Sequence, residues 1–229
     1  MIKAVDAWLF RTDSTQNESR VAAFLSADER ARANRFRFER DRTRYINAHG
    51  VMREILGSYI GVDAASLLIA RAENGKPCLH DQYRADMQFN LSHSGWYGIV
   101  AVSFGRRVGV DVEALRADFR WSELANRYFS SREIAWLRTL PAGEALRWFF
   151  RLWVAKEAVL KASGAGLSAA LREVEPPRGE PGSAVAHGGP FWVSELAVAD
   201  GYVAALAVSG ADAPALRQVR LDHSPAVPG

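Results

Sequence analysis

The chain has 229 residues and a formal net charge of +3, with 48% hydrophobic and 24% charged residues. Its length allows one large domain or two small ones, and seven Trp and eleven Phe supply apolar area for real cores, which excludes disordered, collagen-like and mucin-like classes. The positive charge rests on 25 Arg against 4 Lys, with a pI of about 9.2, which favours an acidic or phosphorylated partner.

At the N-terminus, Met1-Ile2-Lys3-Ala4-Val5-Asp6 puts a carboxylate where a signal peptide needs its apolar region. The apolar stretches at 97–104 and 148–155 fall well short of the roughly 18 residues of a membrane helix. Cys78, the single cysteine, cannot close an intramolecular disulfide and reads as a small packed apolar residue. Together these features predict a cytoplasmic protein with no membrane contact.

Residues 4–10 alternate loosely and predict a strand. Ser26-Ala27-Asp28-Glu29 is a capping-box pattern that opens a helix through a segment where Arg30, Arg32, Arg35, Arg37, Arg40, Arg42 and Arg44 fall within fifteen residues. Guanidinium forks match phosphate oxygens in pairs; the same arginines equally suit a solvated helix face with Glu29, Glu39 and Asp41 as partners. A second helix over 41–59 has apolar residues at Tyr45, Ala48, Met52, Ile55 and Leu56 and stops at Gly61. After the loop Glu73-Asn74-Gly75-Lys76-Pro77, residues 87–91 and 98–104 read as strands, with Gly105-Arg106-Arg107 as a hairpin into 108–113. Residues 121–164 read as mainly helical and 176–182 as a loop. Residues 191–198 and 202–208 form a closing hairpin around Asp200-Gly201, and the tail after Gly210 is expected to fray. No repeat of fixed short period is visible. The order of elements predicts an α+β protein of two similar halves, 1–112 and 113–229.

Three segments carry chemistry. In Val108-Gly109-Val110-Asp111-Val112-Glu113, period-two alternation puts Gly109, Asp111 and Glu113 on one face, the two carboxylates roughly 7 Å apart. Such a pair is costly without a cation; a divalent ion such as Mg²⁺ would relieve it, with Gly109 leaving room for a phosphate, and an acidic solvent-facing sheet is the other reading. In the helix around Trp153-Val154-Ala155-Lys156-Glu157-Ala158-Val159-Leu160-Lys161, apolar residues surround the axis, so Glu157 falls on a buried stripe. Lys161 stands four residues on, in ion-pairing position, although two of only four lysines clustering here also suits a titrating or proton-donating role. Phe89-Asn90-Leu91-Ser92-His93-Ser94 ends a strand. Adjacent Ser92 and His93 do not form a nucleophile and base, and no G-x-S-x-G elbow is present, so hydroxyls and imidazole suit phosphate or ribose contact.

In this order, N-L-S-H-S at 90–94, G-V-D-V-E at 109–113 and W-V-A-K-E-A-V-L-K at 153–161 resemble the 4′-phosphopantetheinyl transferases of the broad-specificity, surfactin-synthase-activating type. Gly75-Lys76-Pro77 and the arginine-rich helix match as well, so the resemblance covers most of residues 24–167. It implies a pseudo-twofold pair of α+β halves with the active site in the cleft between them. The implied reaction moves the phosphopantetheine arm of coenzyme A to a serine of an acidic acyl or peptidyl carrier protein, releasing adenosine 3′,5′-bisphosphate, with Mg²⁺ or alternatively Mn²⁺.

Carried over by position, Asp111, Glu113 and Glu157 are implied as metal ligands, Glu157 also as the base toward the carrier serine. Lys161 is implied to neutralise or protonate the departing phosphate. Lys76, Pro77, Ser92 and His93 are implied as coenzyme A contacts, and Arg32 and Arg44 as basic groups near its 3′-phosphate and adenine. Tyr45 departs from the pattern, in which a small hydroxyl residue is common. No nucleic acid is expected as partner, and a monomer is expected because both halves of the cleft lie in one chain. A non-catalytic RNA- or phosphoprotein-binding module would account for Phe36, Phe38 and Tyr45 among the arginines but leaves Asp111, Glu113 and Glu157 unexplained.

Overall fold

Side-chain alternation along the strands sets the layering. In β1 (Val5–Arg11), Trp8 and Phe10 join one buried cluster while Val5, Ala7 and Leu9 join another. A computed structural model describes residues 4–83, 85–165, 171–186 and 188–221. The first sheet has the order β10-β1-β5-β4, with β4 spanning Met87–Ser94, β5 Tyr97–Phe104 and β10 Leu216–Leu221. Helix α3 (Glu39–Ile60) lies on it, burying Ile46, Met52, Ile55 and Leu56 with Trp8, Phe10, Phe89 and Val100. Two short helices, α1 (Thr15–Ala22) and α2 (Ala27–Ala33), precede α3, and a small ladder of β2 (Ile69–Arg71) and β3 (Pro77–Leu79) follows it.

The second sheet has the order β6-β9-β8-β7, formed by Val108–Ala114, Tyr202–Ser209, Gly189–Glu195 and Gly182–Ala186. It carries α6 (Ala142–Ser163), with α4 (Trp121–Tyr128) and α5 (Ser131–Leu137) packed alongside. Val5, Ala7 and Leu9, Ile99 and Ala101, Val108, Val110 and Val112, and Ala204, Leu206 and Val208 form a shared cluster that joins the two sheets, leaving the long helices outside.

The halves repeat one another. Helices α3 and α6 are each 22 residues long and end at a left-handed glycine, Gly61 (φ 69) and Gly164 (φ 75). The helix before each opens on a capping box, Ser26 with Glu29 and Ser130 with Glu133, in which side chain and backbone satisfy each other's polar groups. In both, the boxed glutamate also grips the long helix. Arg53 Nε donates to Glu29 at 2.6 Å, and Lys156 Nζ pairs with Glu133 at 2.9 Å. Each cation then donates to two loop carbonyls, Ala64 and Leu67 in the first half, Leu171 and Val174 in the second.

The strands at 4–10, 87–91 and 98–104, the long helix ending at Gly61 and the closing hairpin lie where the sequence puts them, but three expectations do not hold. Residues 105–107 do not make a hairpin: β5 and β6 belong to different sheets, and β5 pairs antiparallel with β4 and β1. The capping box at Ser26 opens only seven residues of helix, and the chain turns before α3 begins. The tail after Gly210 is not frayed throughout, because β10 pairs in parallel with β1 and Arg217 clamps Asp6 through two bonds of 2.8 Å. The expected division at 112/113 falls inside β6, and β10 returns to the first sheet. Residues 166–167, the end of the stretch that the resemblance covers, lie outside the described residues. Among the described residues no helix is long and apolar enough to cross a membrane.

Gly109 sets the contact between α6 and β6. A Cβ there would overlap the backbone oxygen of Ala158 and the nitrogen of Ala162, so α6 rests directly on the strand. The space expected for a phosphate is occupied by this helix. Since backbone on both sides cannot step aside, Gly109→Ala should lower the stability by about 1–3 kcal/mol or more, read from the urea midpoint at constant slope. An unchanged midpoint would mean that α6 can lift off β6 at no cost.

Candidate active site

β4 and β6 are edge strands of different sheets, and side chains bridge them in constant register. Asn90 Oδ1 accepts from Val110 N–H (2.9 Å), Ser92 Oγ from Val112 N–H (3.3 Å) and Ser94 Oγ from Ala114 N–H (3.2 Å). Both serines also donate to carboxylates: Ser92 to Asp111 Oδ1 and Ser94 to Glu113 Oε2, each at 2.8 Å.

From α6, the Lys161 ammonium reaches the same place. It donates to Asp111 Oδ1 (2.6 Å), Ser92 Oγ (3.2 Å) and the Val110 carbonyl (3.2 Å). The ion pair expected within the helix is thus replaced by one to β6, because the close seat of α6 brings Lys161 over the strand. Burial, then the charge of Asp111, pushes the Glu157 carboxyl up to about 7, against the pull of Lys161. Burial and Asp111 also raise Glu113, and the Ser94 bond partly offsets them.

Among the described residues, buried Asp111 Oδ2 and Glu157 Oε1 have no hydrogen-bond partner. Unpartnered buried carboxylate oxygens call for a cation. Among the described residues no three His, Cys, Asp or Glu side chains are gathered to hold an ion by themselves. The oxygens of Asp111, Glu113 and Glu157 are hard donors, and such donors suit a small hard cation of the Mg²⁺ kind, which keeps waters and takes further oxygens from phosphates.

The other face of β4 looks into a cavity of about 450 Å³. Leu91 and His93 line it from β4, Arg32 from α2, Tyr45, His49 and Arg53 from α3, and Arg71 and Pro77 from the small ladder. Tyr45 stacks on the His49 ring (4.1 Å between centroids), and the Arg32 guanidinium stands 5.8 Å from the Tyr45 ring. Partial enclosure, then the neighbouring charge of His49, lowers His93 from its ordinary 6.5 although the residue is exposed, so it is neutral at pH 7.

Of the residues singled out from sequence, Arg32, Pro77 and His93 meet at this cavity, and Asp111, Glu113, Glu157 and Lys161 meet behind it. Ser92 stands with the carboxylates, since the even positions of β4 face β6. Arg44 pairs with Asp41 (3.4 Å) and does not line the cavity, though it is close enough to act on His93. Lys76 Nζ donates to the Val108 carbonyl (2.8 Å) at the start of β6, and burial followed by Arg107 lowers it to about 8. Tyr45 supplies a stacking wall in place of a small hydroxyl. Arg71 and His49 reach the site with no signature in the sequence, and Ser94, one of the hydroxyls grouped with His93, is assignable to a carboxylate only by extending the alternation of Asn90 and Ser92. Of the two readings of the arginine-rich segment, part of it follows the solvated face with acidic partners: Arg42 pairs with Glu18 and Glu39, and Arg40 with Asp41.

A profile of the 4′-phosphopantetheinyl transferase superfamily matches residues 107–207, and one described as 4′-phosphopantetheinyl transferase, N-terminal, matches residues 12–105. Similar curated proteins include the 4′-phosphopantetheinyl transferase HetI of Nostoc sp., 40% identical over 90% of this chain and 88% of its own length. The 4′-phosphopantetheinyl transferase Sfp of Bacillus subtilis is 29% identical over 74% of each chain. An L-aminoadipate-semialdehyde dehydrogenase-phosphopantetheinyl transferase of Xenopus laevis is 30% identical over 67% of this chain and 54% of its own length.

Glu29 on the cavity wall gives a pH prediction. Burial alone would raise its carboxyl, but the His49 ring, the Ser26 N–H and Arg53 together outweigh burial and hold it at about 2. A carboxylate depressed below its ordinary value of 4.5 stabilises the fold above that value and loses the contribution as pH falls toward 2. Between pH 5 and about pH 3, the urea midpoint of wild type should therefore fall more steeply than that of Glu29→Gln. Parallel curves would remove Glu29 from the acid-labile set.

Proposed function

The chain belongs to the 4′-phosphopantetheinyl transferase superfamily, and from that premise we propose how its residues divide the transfer of the phosphopantetheine arm of coenzyme A to a carrier-protein serine. The observation that carries the reading is the double use of β4. One face of the strand presents His93 to a cavity flanked by Arg32 and Tyr45, and the other holds Asp111 and Glu113 through Ser92 and Ser94. A coenzyme lodged in the cavity would bring its pyrophosphate to the carboxylates around the edge of one strand.

In this reading Arg32 and Arg44 take the adenosine and its 3′-phosphate, with Arg71 as a further cation on the cavity wall. Tyr45, backed by His49, provides a flat apolar face for the base. Neutral His93 and Pro77 line the path of the phosphates. Lys76 and Ser92, bonded elsewhere, act through the strands they tie down.

Asp111, Glu113 and Glu157 would hold Mg²⁺, with Mn²⁺ as an alternative ion; when bound, it supplies charge neutralisation for the pyrophosphate. The oxygen of the carrier serine bonds to the phosphorus of the pantetheine phosphate as the bond from that phosphorus to the bridging oxygen breaks, and adenosine 3′,5′-bisphosphate leaves. Glu157, buried beside Asp111 with its Oε1 unpartnered among the described residues, accepts the serine proton. Lys161 acts by charge: its three bonds to Asp111, Ser92 and the Val110 carbonyl commit its protons and fix it near the departing phosphate.

A pI of about 9.2 supports steering toward an acidic acyl or peptidyl carrier. Since one chain supplies both walls of the cleft, we read the enzyme as a monomer, and the lone cysteine supports a reducing, cytoplasmic setting. We place the division between the halves at residues 105–107, where the chain passes from one sheet to the other.

Mass spectrometry of an apo carrier protein incubated with the enzyme, coenzyme A and Mg²⁺ tests the activity directly. One serine should gain a phosphopantetheine, and an unmodified carrier across acyl and peptidyl types would overturn the reading. Lys161→Ala should lower kcat about a hundredfold, equivalent to roughly 3 kcal/mol of transition-state stabilisation, with Arg rescuing poorly because a planar fork cannot repeat the three bonds. A fall of less than about twofold would reduce Lys161 to a structural cation. Arg32→Ala should raise KM for coenzyme A more than for the carrier and should narrow the preference over dephospho-coenzyme A. Undiminished discrimination in that variant would take Arg32 off the 3′-phosphate.

A further inference from the structure

The seam between β4 and β6 does more than close two sheet edges. Asn90, Ser92 and Ser94 each accept the N–H of the residue twenty positions on, in place of a backbone ladder. A serine hydroxyl has a single proton, and once the oxygen has accepted from β6, that proton is free to go elsewhere. At Ser92 it goes to Asp111 Oδ1 and at Ser94 to Glu113 Oε2. Each carboxylate belongs to the residue just before the N–H that its serine accepts, so the two bonds close a small ring that fixes the rotation of the acid. The donors come from the first half of the molecule and the acids from the second.

Asp111 has a second anchor in Lys161, but the side-chain bond described for Glu113 is the one from Ser94. We propose that Ser94 is a positioning residue: its hydroxyl, held by Ala114 N–H, aims the Glu113 carboxylate so that the remaining oxygen is presented to a divalent cation. The inference rests on the reading of Asp111, Glu113 and Glu157 as the cation site. Cation affinity then depends on how the two halves meet, because a shift of β4 along β6 would withdraw both hydroxyls together.

The test measures ion binding without turnover, by the electron paramagnetic resonance of free Mn²⁺ titrated into the full-length protein with coenzyme A present and no carrier. Removing a partner of a ligating carboxylate costs about tenfold or more in metal affinity. Ser94→Ala should therefore weaken Mn²⁺ binding at least tenfold, while coenzyme A affinity measured in chelator stays within about twofold of wild type. Ser94→Thr, which keeps the hydroxyl, should recover most of the loss. If Ser94→Ala does not fold, Ser94→Cys, of similar shape but a weak donor, should show the same weakening.

Asp111→Ala separates the two levels of the reading. If it abolishes Mn²⁺ binding while Ser94→Ala, or Ser94→Cys in its place, leaves the affinity unchanged, Ser94 is only a structural tie and this inference falls alone. If Asp111→Ala binds Mn²⁺ as wild type does, the cation site itself is wrong and the inference falls with it. A Ser94→Thr protein as weak as Ser94→Ala would also overturn it, since the hydroxyl would then not be what matters.

Discussion

The seat of α6 on β6 at Gly109 is the contact on which the rest of the site depends. Where a side chain would ordinarily hold helix and sheet apart, hydrogen alone lets the Ala158 and Ala162 backbone rest on the strand. That closeness lets Lys161 reach past its own helix to Asp111 and to the Val110 carbonyl. It also buries Glu157 near Asp111, and a carboxyl that ordinarily ionises near 4.5 is thereby raised to about 7. Packing of backbone on backbone has become an electrostatic property of the acids.

The two halves use the same skeleton for different ends. Both fasten a 22-residue helix by a capping-box glutamate and a buried cation that also holds two loop carbonyls. Burying such pairs is costly, and breaking one leaves a charge without a partner. These pairs fix each helix in place and leave its exposed end to diverge. Where β6 carries Asp111 and Glu113, the equivalent positions of β1 are Trp8 and Phe10, part of a hydrophobic core. Where α6 carries Glu157 and Lys161, α3 has Glu54, which pairs with Arg20, and Ser58, which bonds back to its own helix. The first half thus builds a cavity and the second a charged cluster, and β4 separates the two.

Much of this was legible in the sequence because it follows from local periodicity. The alternation in 108–113 put Asp111 and Glu113 on one face, the apolar wrapping of α6 marked Glu157 as buried, and Gly61 ended α3. Motif order carried the family and, with it, the two-half architecture. What the sequence misplaced needed partners far along the chain. The β10 strand reads as part of a fraying tail because an edge strand held by β1 and by its own Arg217 buries little of itself. The turn at 105–107 has the composition of a hairpin, yet it moves the chain between sheets, since both faces of β6 find partners in the second half and across the shared core.

The residue types and their order, by themselves, determined which side chains could do the chemistry: three acids, a lysine and a set of arginines with an aromatic among them. Only the tertiary structure decided their pairings. Lys161 binds Asp111 instead of Glu157, Ser92 turns from the cavity to the carboxylates, and Lys76 spends its ammonium on the Val108 carbonyl. The physical reason is that a helix or strand fixes a side chain's direction, whereas its partner is set by the distance between elements. That distance depends on a glycine whose importance appears only when the helix is laid against it.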